Sequence, residues 1–153
     1  MKQIYLDCAS TTPVDQLVAN KMSKYLTLNG IYGNSSSNTH DYGWRANEAV
    51  EHARNEVASI IHSNKSEIIF TSGATESNNL AIKGVAYAYQ NKGKHIITSI
   101  VEHSSVIDTC SFLKTQGFDI TFLKPDNNGQ IIIEQIILGC YTVWYNTIHY
   151  YTI

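Results

Sequence analysis

Residues 71–75, with the sequence TSGAT, are of the types that can hold an anion without a lysine. They follow an apolar run that predicts a strand, and they lead into a helical pattern. The unpaired N–H groups of a first helical turn and the helix dipole together attract a phosphate. Gly73 and Ala74 are small enough to let a phosphate approach the backbone, and the Thr75 hydroxyl adds a donor. An ordinary hydroxyl-rich helix cap has the same pattern, so the segment alone leaves both interpretations open.

His103 lies just beyond the next predicted strand, at 95–99. Ligands of open parallel sheets bind at the carboxyl ends of the strands. Because His103 and the turn at 72–75 follow successive strands, we expect both to face one crevice. An imidazole there could stack on an aromatic cofactor ring and exchange protons near neutral pH. A histidine in this position also suits a helix cap or a plain surface residue, and that alternative stays open.

The other histidines, cysteines and lysines form no recognisable site. Those considered as candidates are His40, His52, His62, His95, Cys8, Cys110, Cys140 and the lysines at 83, 92, 94, 114 and 124. The histidines lack metal-ligand spacing, and no lysine stands out as a Schiff-base residue. The odd number of cysteines and the absence of a C-x-x-C pair favour neither a disulfide framework nor a zinc site, which indicates a reducing compartment.

The elements that must position these residues alternate along most of the chain. A helix is predicted to begin with Thr12 as cap and Pro13 at its first position, and a second helix is predicted over 44–61. The later elements are strands at 67–71, 95–99 and 118–123 and helices at 77–89 and 104–116. Strand-helix-strand repetition with short links predicts an α/β fold with a parallel sheet covered by helices.

Charge and hydropathy narrow the classes of partner. The formal net charge is −2, from 11 basic and 13 acidic side chains, which disfavours nucleic acid and acidic membranes and leaves a small molecule. Asp7 interrupts the first apolar run, so we expect no signal peptide and a cytoplasmic protein. Residues 135–153 lack Asp, Glu, Lys and Arg, but polar residues on all sides of any helix there argue against a membrane span.

The composition changes abruptly in the tail at 131–153. Four of the ten tyrosines lie in the last thirteen residues, at Tyr141, Tyr145, Tyr150 and Tyr151. We interpret the sequence from about 133 onward as out of frame or otherwise non-native. A buried aromatic-rich β segment is the alternative.

Four blocks, in order over about residues 1–130, resemble the cysteine desulfurases of the class V aminotransferase group. The first is Tyr5-Leu6-Asp7 with Thr11-Thr12-Pro13, and the second is Gly33-Asn34 with Ser37, His40, Gly43 and Ala46. The third runs from Thr71 to Asn79 and continues in Ala81-Ile82-Lys83-Gly84, where it resembles the family's phosphate-binding turn. The fourth, Glu102-His103, resembles its cofactor-stacking motif.

The resemblance implies part of a three-layer α/β, parallel-sheet domain of fold-type I with pyridoxal 5'-phosphate as cofactor. It implies that Ala74 and Thr75 bind the cofactor phosphate and that His103 stacks on the pyridine ring and helps to move protons. It further implies a homodimer that takes sulfur from L-cysteine, leaves alanine, and passes the sulfur as a persulfide to an acceptor or iron-sulfur scaffold protein. The resemblance implies that this sulfur is used in iron-sulfur cluster assembly or in tRNA thiolation.

Within that fold we expect three parts. Residues 1–15 form an N-terminal arm or small-domain segment, residues 16–130 form the first part of the cofactor-binding large domain, and residues 131–153 form the atypical tail.

The sequence departs from the family pattern in two ways. Ser35 replaces the proline usual after Gly-Asn, and Cys8-Ala9-Ser10 differs from the usual lead into Thr-Thr-Pro. The Schiff-base lysine motif, the aspartate for the pyridine nitrogen and the persulfide cysteine loop of the family do not occur, so we expect no activity from this chain alone. Two alternatives remain: another class V enzyme such as selenocysteine lyase, or a non-catalytic remnant that binds a partner or a phosphate ligand.

Overall fold

A computed structural model describes residues 3–132 and 134–137 of the chain. The chain divides into two compact units, Met1–Ile69 and Phe70–Ile153, which are called unit 1 and unit 2 below. The division coincides with none of the predicted boundaries at 15 and 130, which therefore stay predictions.

Unit 1 begins with helix α1, Gln16–Ser23, which starts later than the sequence pattern predicted. Asp15 is the N-cap, because its Oδ1 accepts a hydrogen bond of 2.8 Å from the Leu17 amide. Thr12 and Pro13 lie before the helix, so the predicted cap was wrong. A carboxylate caps a helix as well as a hydroxyl does, and Asp15 is the residue whose side chain satisfies a first-turn amide.

Helix α2, Asp41–Ile60, begins three residues before the predicted start at Trp44. His40 caps it, since the imidazole Nδ1 accepts a hydrogen bond of 3.1 Å from the Gly43 amide. A Cβ at Gly43 would lie 1.9 Å from the carbonyl oxygen of Ser37, so only glycine fits this approach of the loop to the helix.

The strand predicted at 67–71 is absent. Lys65–Glu67 form a short 3-10 helix, and the chain from 68 to 71 runs outside any strand. The Glu67 side chain helps to cap this 3-10 helix, because its Oε2 accepts a hydrogen bond of 2.7 Å from the Asn64 amide. The apolar run has the composition of a strand, but strand formation depends on pairing and packing more than on propensity.

Unit 2 contains helix α3, Ala74–Tyr89, strand β1, His95–Ser99, helix α4, Ser104–Thr115, and strand β2, Asp119–Leu123. The two strands pair in parallel, in a register that runs from His95 opposite Asp119 to Ser99 opposite Leu123. Helix α4 is the crossover between them, as parallel pairing requires. The predicted α/β class with a parallel sheet is confirmed.

The core of unit 2 is an apolar cluster between the two helices and the strands. Leu113 of α4 is fully buried at 0% exposure, and Phe118 and Ala86 are buried beside it. Ile82, Ile96 and Ile120 pack against the cluster from α3, β1 and β2. Side chains of this kind stabilise a fold by about 1.5–3 kcal/mol each when fully buried, so the cluster fixes α3 against α4.

Most of the tail lies outside the described residues, and the proposals about its origin and about Cys140 are not tested by the structure. Residues 134–137 are helical. Within the part of the chain that the structure describes, no helix has the length and the apolar character needed to cross a bilayer.

Candidate functional site

The amino terminus of α3 carries backbone donors that no side chain caps. Its N-cap is Gly73, which has no side chain to accept a hydrogen bond from the first turn. Among the described residues, none accepts a hydrogen bond from the amides of Ala74 and Thr75. The alternative interpretation of this segment as a hydroxyl-capped helix start is therefore not what the structure shows.

The polar side chains around this turn bind one another instead of the free amides. Glu76 Oε2 accepts hydrogen bonds from the Ser72 amide at 2.6 Å and from the Ser72 hydroxyl at 2.7 Å. The backbone bond from Ser72, followed by its hydroxyl bond, lowers the pKa of the Glu76 carboxyl below its ordinary value. The hydroxyls of Thr71 and Ser77 lie 2.6 Å apart and complete the turn. The turn is thus held in shape without using the donors of Ala74 and Thr75.

This arrangement fits a phosphate group. A helix of 16 residues presents the positive end of its dipole at Ala74, and two unpaired amides lie there together with the exposed hydroxyl of Thr75. A Cβ built on Gly73 would meet no atom within 4 Å, so the space beside the turn is open.

His103 is the N-cap of α4. Its Nδ1 accepts a hydrogen bond of 3.1 Å from the Ser105 amide and lies 2.9 Å from the Ser105 hydroxyl oxygen. The sequence left open that His103 is a helix cap, and the structure confirms this role for its Nδ1 atom. Capping does not remove the imidazole from other roles, because the residue is exposed and Nε2 has no partner among the described residues.

A hydrogen bond between α3 and α4 brings these two helix starts together. Asn78 Nδ2 donates to the Ser105 hydroxyl oxygen over 2.8 Å, although the two residues are 27 positions apart. Asn78 lies one turn beyond Ala74, and Ser105 lies two residues beyond His103. Neither Asn78 nor Ser105 was predicted to have a role of its own, because no local sequence pattern indicates a hydrogen bond over this separation.

The other candidates are involved in structure. His95 of β1 contacts Thr121 of β2 through Nε2 and Oγ1 at 2.7 Å. Burial raises the pKa of the Cys110 thiol, whereas Cys8 is exposed. Over the described ranges 3–132 and 134–137, no group of three or more His, Cys, Asp or Glu side chains could hold a metal ion.

Comparison with protein families matches residues 4–139 to the family described as aminotransferase class-V. Among curated proteins, the cysteine desulfurase IscS of Shewanella loihica is 59% identical over 133 residues, which are 87% of this chain and 33% of that protein. The cysteine desulfurase IscS of Shewanella oneidensis is 61% identical over a stretch of the same length. The chain thus spans about a third of the length of the curated relatives it matches.

Solved structures have the same fold over most of the chain. A NifS-like protein superposes with a TM-score of 0.74 at 37% identity, over 82% of this chain and 34% of that one. A structure described as SspA in complex with cysteine also gives a TM-score of 0.74, at 40% identity, over 84% of this chain and 36% of that one. These matches place the parallel pair and its helices within the fold-type I architecture that the sequence predicted.

Proposed function

Because this chain belongs to the aminotransferase class-V family, we propose that it is the N-terminal third of a cysteine desulfurase and carries part of its cofactor site. The observation that carries the proposal is the uncapped start of α3, with free amides at Ala74 and Thr75, on a helix that Asn78 joins by a hydrogen bond to Ser105, two residues beyond His103. Both features match the roles that the family resemblance implies.

In this proposal, Ala74 and Thr75 bind the phosphate of pyridoxal 5'-phosphate through their amides and the Thr75 hydroxyl. The free donors and the dipole of α3 favour a dianion at this point without a lysine. When bound, the cofactor supplies an electron sink for a substrate carbanion, and the protein supplies orientation and charge.

His103 has two separate tasks on its two ring nitrogens. Nδ1 accepts from Ser105 and keeps the ring in place at the start of α4. With Nδ1 as the acceptor, the neutral ring carries its proton on Nε2, which can donate a hydrogen bond, and the exposed residue can stack on a pyridine ring. The imidazole is thus oriented through Nδ1 and offers Nε2–H as a donor to a bound cofactor or substrate.

For the whole protein we propose L-cysteine as the substrate, with alanine as product and the sulfur transferred as a persulfide. The curated relatives are named cysteine desulfurase, and the SspA neighbour is described as a complex with cysteine. A homodimer, a sulfur acceptor or iron-sulfur scaffold protein, a cytoplasmic location, and a role in cluster assembly or tRNA thiolation belong to the same proposal. So does the division into an arm at 1–15, a cofactor domain at 16–130 and a tail at 131–153.

The chain alone is expected to be inactive, because its sequence contains none of the family motifs for the Schiff-base lysine and the persulfide cysteine. Purified chain with pyridoxal 5'-phosphate, L-cysteine and a reductant should release neither sulfide nor alanine above a protein-free blank. Sulfide release without an added subunit would contradict this part of the proposal.

The phosphate site is tested by titrating the full chain with pyridoxamine 5'-phosphate, which has no aldehyde and so cannot react with surface lysines. We expect binding that Thr75→Ala weakens about tenfold or more, since a hydrogen bond to a charged group contributes about 1.5–3 kcal/mol. Thr115→Ala at the far end of α4 is the matched control, because among the described residues the Thr115 hydroxyl bonds only to near neighbours, donating to the Phe112 carbonyl and accepting from Gln116 Nε2.

Pyridoxamine without the phosphate separates the two parts of the site in the same assay. It should bind far more weakly than the phosphate ester and should be insensitive to Thr75→Ala. Equal affinities for the two compounds would show that the start of α3 does not recognise the phosphate, and the proposed site would be wrong.

A further inference from the structure

The hydrogen bonds between Asn78, Ser105 and His103 form a chain with a defined direction. Asn78 Nδ2 can only donate, so the Ser105 hydroxyl oxygen accepts at 2.8 Å. A serine hydroxyl has one proton to give, and its other close partner is His103 Nδ1 at 2.9 Å. The proton therefore points to the imidazole, and the chain runs from α3 through Ser105 to His103.

His103 Nδ1 receives a second donor from the backbone. The Ser105 amide reaches it at 3.1 Å, and an amide can never act as the acceptor in this pair. With two donors directed at Nδ1, this nitrogen must be unprotonated in the neutral ring. The proton of the neutral imidazole is consequently on Nε2, the exposed nitrogen.

The surroundings of Ser105 keep this arrangement in place. Ser105 is buried at 6% exposure, so little water competes for its hydroxyl. The Thr109 hydroxyl donates to the Ser105 carbonyl over 2.7 Å and ties the backbone one turn further along α4. Asn78 is half-buried against the same helix. A buried hydroxyl with both hydrogen-bonding partners fixed has little freedom to reverse its direction.

We infer that Asn78 and Ser105 are positioning residues that fix the tautomer and the ring orientation of His103 and couple it to the first turn of α3. The inference rests on the proposed function, since His103 and Ala74–Thr75 are there assigned to one cofactor. Asn78 lies one turn beyond Ala74, so the same side chain that orients the imidazole also sets its distance from the free amides. A shift of α3 along α4 would move the imidazole relative to those amides.

The primary test is a long-range ¹H–¹⁵N spectrum of the histidine rings in the full chain without ligand. His103→Gln identifies the resonances of His103 among the six histidines. We expect His103 as a single Nε2–H tautomer. Asn78→Ala and Ser105→Ala should each move the Nδ1 resonance toward the value of an unbonded nitrogen. The double variant should move it no further than Ser105→Ala alone, because Asn78 acts through the hydroxyl.

Two further variants keep the test independent of folding. Asn78→Asp preserves the side-chain shape but offers an acceptor, so the Ser105 hydroxyl should turn away from Nδ1 and give the same change as Asn78→Ala. Asn79→Ala is the matched control, because the Asn79 side chain donates to the Thr75 carbonyl on its own helix, bonds to no other described residue, and should leave Nδ1 unchanged. A wild-type Nδ1–H tautomer, additive effects of Asn78 and Ser105, or an Asn79→Ala shift as large as that of Asn78→Ala would each overturn the inference.

Pyridoxamine 5'-phosphate binding tests the coupling between the two helices. Asn78→Ala should weaken it about five- to tenfold, the effect expected from one positioning hydrogen bond, whereas Asn79→Ala should not. An unchanged affinity in Asn78→Ala would refute the coupling. If wild-type chain binds no pyridoxamine 5'-phosphate while the ring spectra behave as expected, the proposed function fails and the assignment of the tautomer stands.

Discussion

In unit 2 the side chains of Leu113 and Phe118 are almost completely buried, whereas in unit 1 helix α1 has no buried residue and α2 buries only Gly43, Ala46 and Ala58. Large apolar side chains of unit 1 such as Leu17 and Ile60 are mostly exposed, at 79% and 77%. Unit 1 contains close backbone approaches, polar helix caps, ion pairs and a ring contact between Tyr32 and Tyr42, while unit 2 contains a buried apolar cluster.

This contrast bears on the candidate site, which lies in unit 2 but outside its core. The cluster around Leu113 packs α3 against α4. Hydrogen bonds between Ser72 and Glu76 and between Asn78 and Ser105 then fix the backbone and side chains at the amino termini of these helices. The side chains of a functional site are positioned more precisely when they lie on packed helices and strands than when they lie on loops. The difference between the units can be tested by substitution.

The largest expected effect is from removing the centre of the apolar cluster. Leu113→Ala should destabilise unit 2 by about 2–5 kcal/mol, because a fully buried side chain leaves a cavity behind. Leu17→Ala in the exposed face of α1 should change stability by no more than about 0.5 kcal/mol. Native-state hydrogen exchange, read separately for β1, β2 and α1, measures both. Similar losses of protection from the two variants would break the comparison.

A smaller effect is expected from a methyl group added at Gly43 in unit 1. A Cβ at this position would lie 1.9 Å from the Ser37 carbonyl oxygen, so Gly43→Ala should force the loop away and cost about 1–3 kcal/mol. Gly84→Ala in α3 is the matched control, since its Cβ would meet no atom within 4 Å and should stabilise the helix by up to about 1 kcal/mol. Exchange protection of α2 and α3 reports the two changes. Tolerance of Gly43→Ala would show that the close approach does not hold unit 1 together.

The smallest effect is a pH dependence confined to the turn before α3. The pKa of Glu76 is lowered from 4.5 in the folded chain, so its bonds to Ser72 stabilise the turn above the unfolded value and are lost as pH falls through the folded one. Carboxyl ¹³C shifts should give a Glu76 midpoint below 4.5. Ser72→Ala should raise that midpoint but not fully restore it, because the Ser72 amide still donates.

Glu51 of unit 1 is the internal control for this titration. The pKa of its carboxyl is lowered chiefly by the hydrogen bond from Arg54, so Ser72→Ala should leave its midpoint unchanged. Parallel shifts of Glu51 and Glu76 in that variant would indicate a change of the whole chain and not of one turn.

Much of unit 2 could be predicted from the sequence because its signals are local. The strand at 95–99 was predicted with its observed bounds, and the helix predicted from Ser104 begins at that residue. The strand predicted at 67–71 was wrong, since apolar composition alone does not decide strand formation, and Glu67 instead ends a short 3-10 helix. The helix starts of unit 1 were misplaced because Asp15 and His40, not Thr12, supply the caps.

For the candidate site, the sequence indicated the anion-binding residue types at Gly73, Ala74 and Thr75 and the position of His103 beyond a strand, and their roles stay predictions. It could not indicate that α3 starts without a capping side chain, or which ring nitrogen of His103 is engaged. These features depend on which partners lie within about 3 Å, and such a distance is set by packing.

The sequence by itself determined the class of fold and the family, because hydrophobic periodicity and short motifs are properties of neighbouring residues. The tertiary structure alone decided that Asn78 meets Ser105 across 27 positions and thereby directs a proton toward His103. A hydrogen bond between two helices has no local signature, since it forms only after apolar burial has brought those helices into contact.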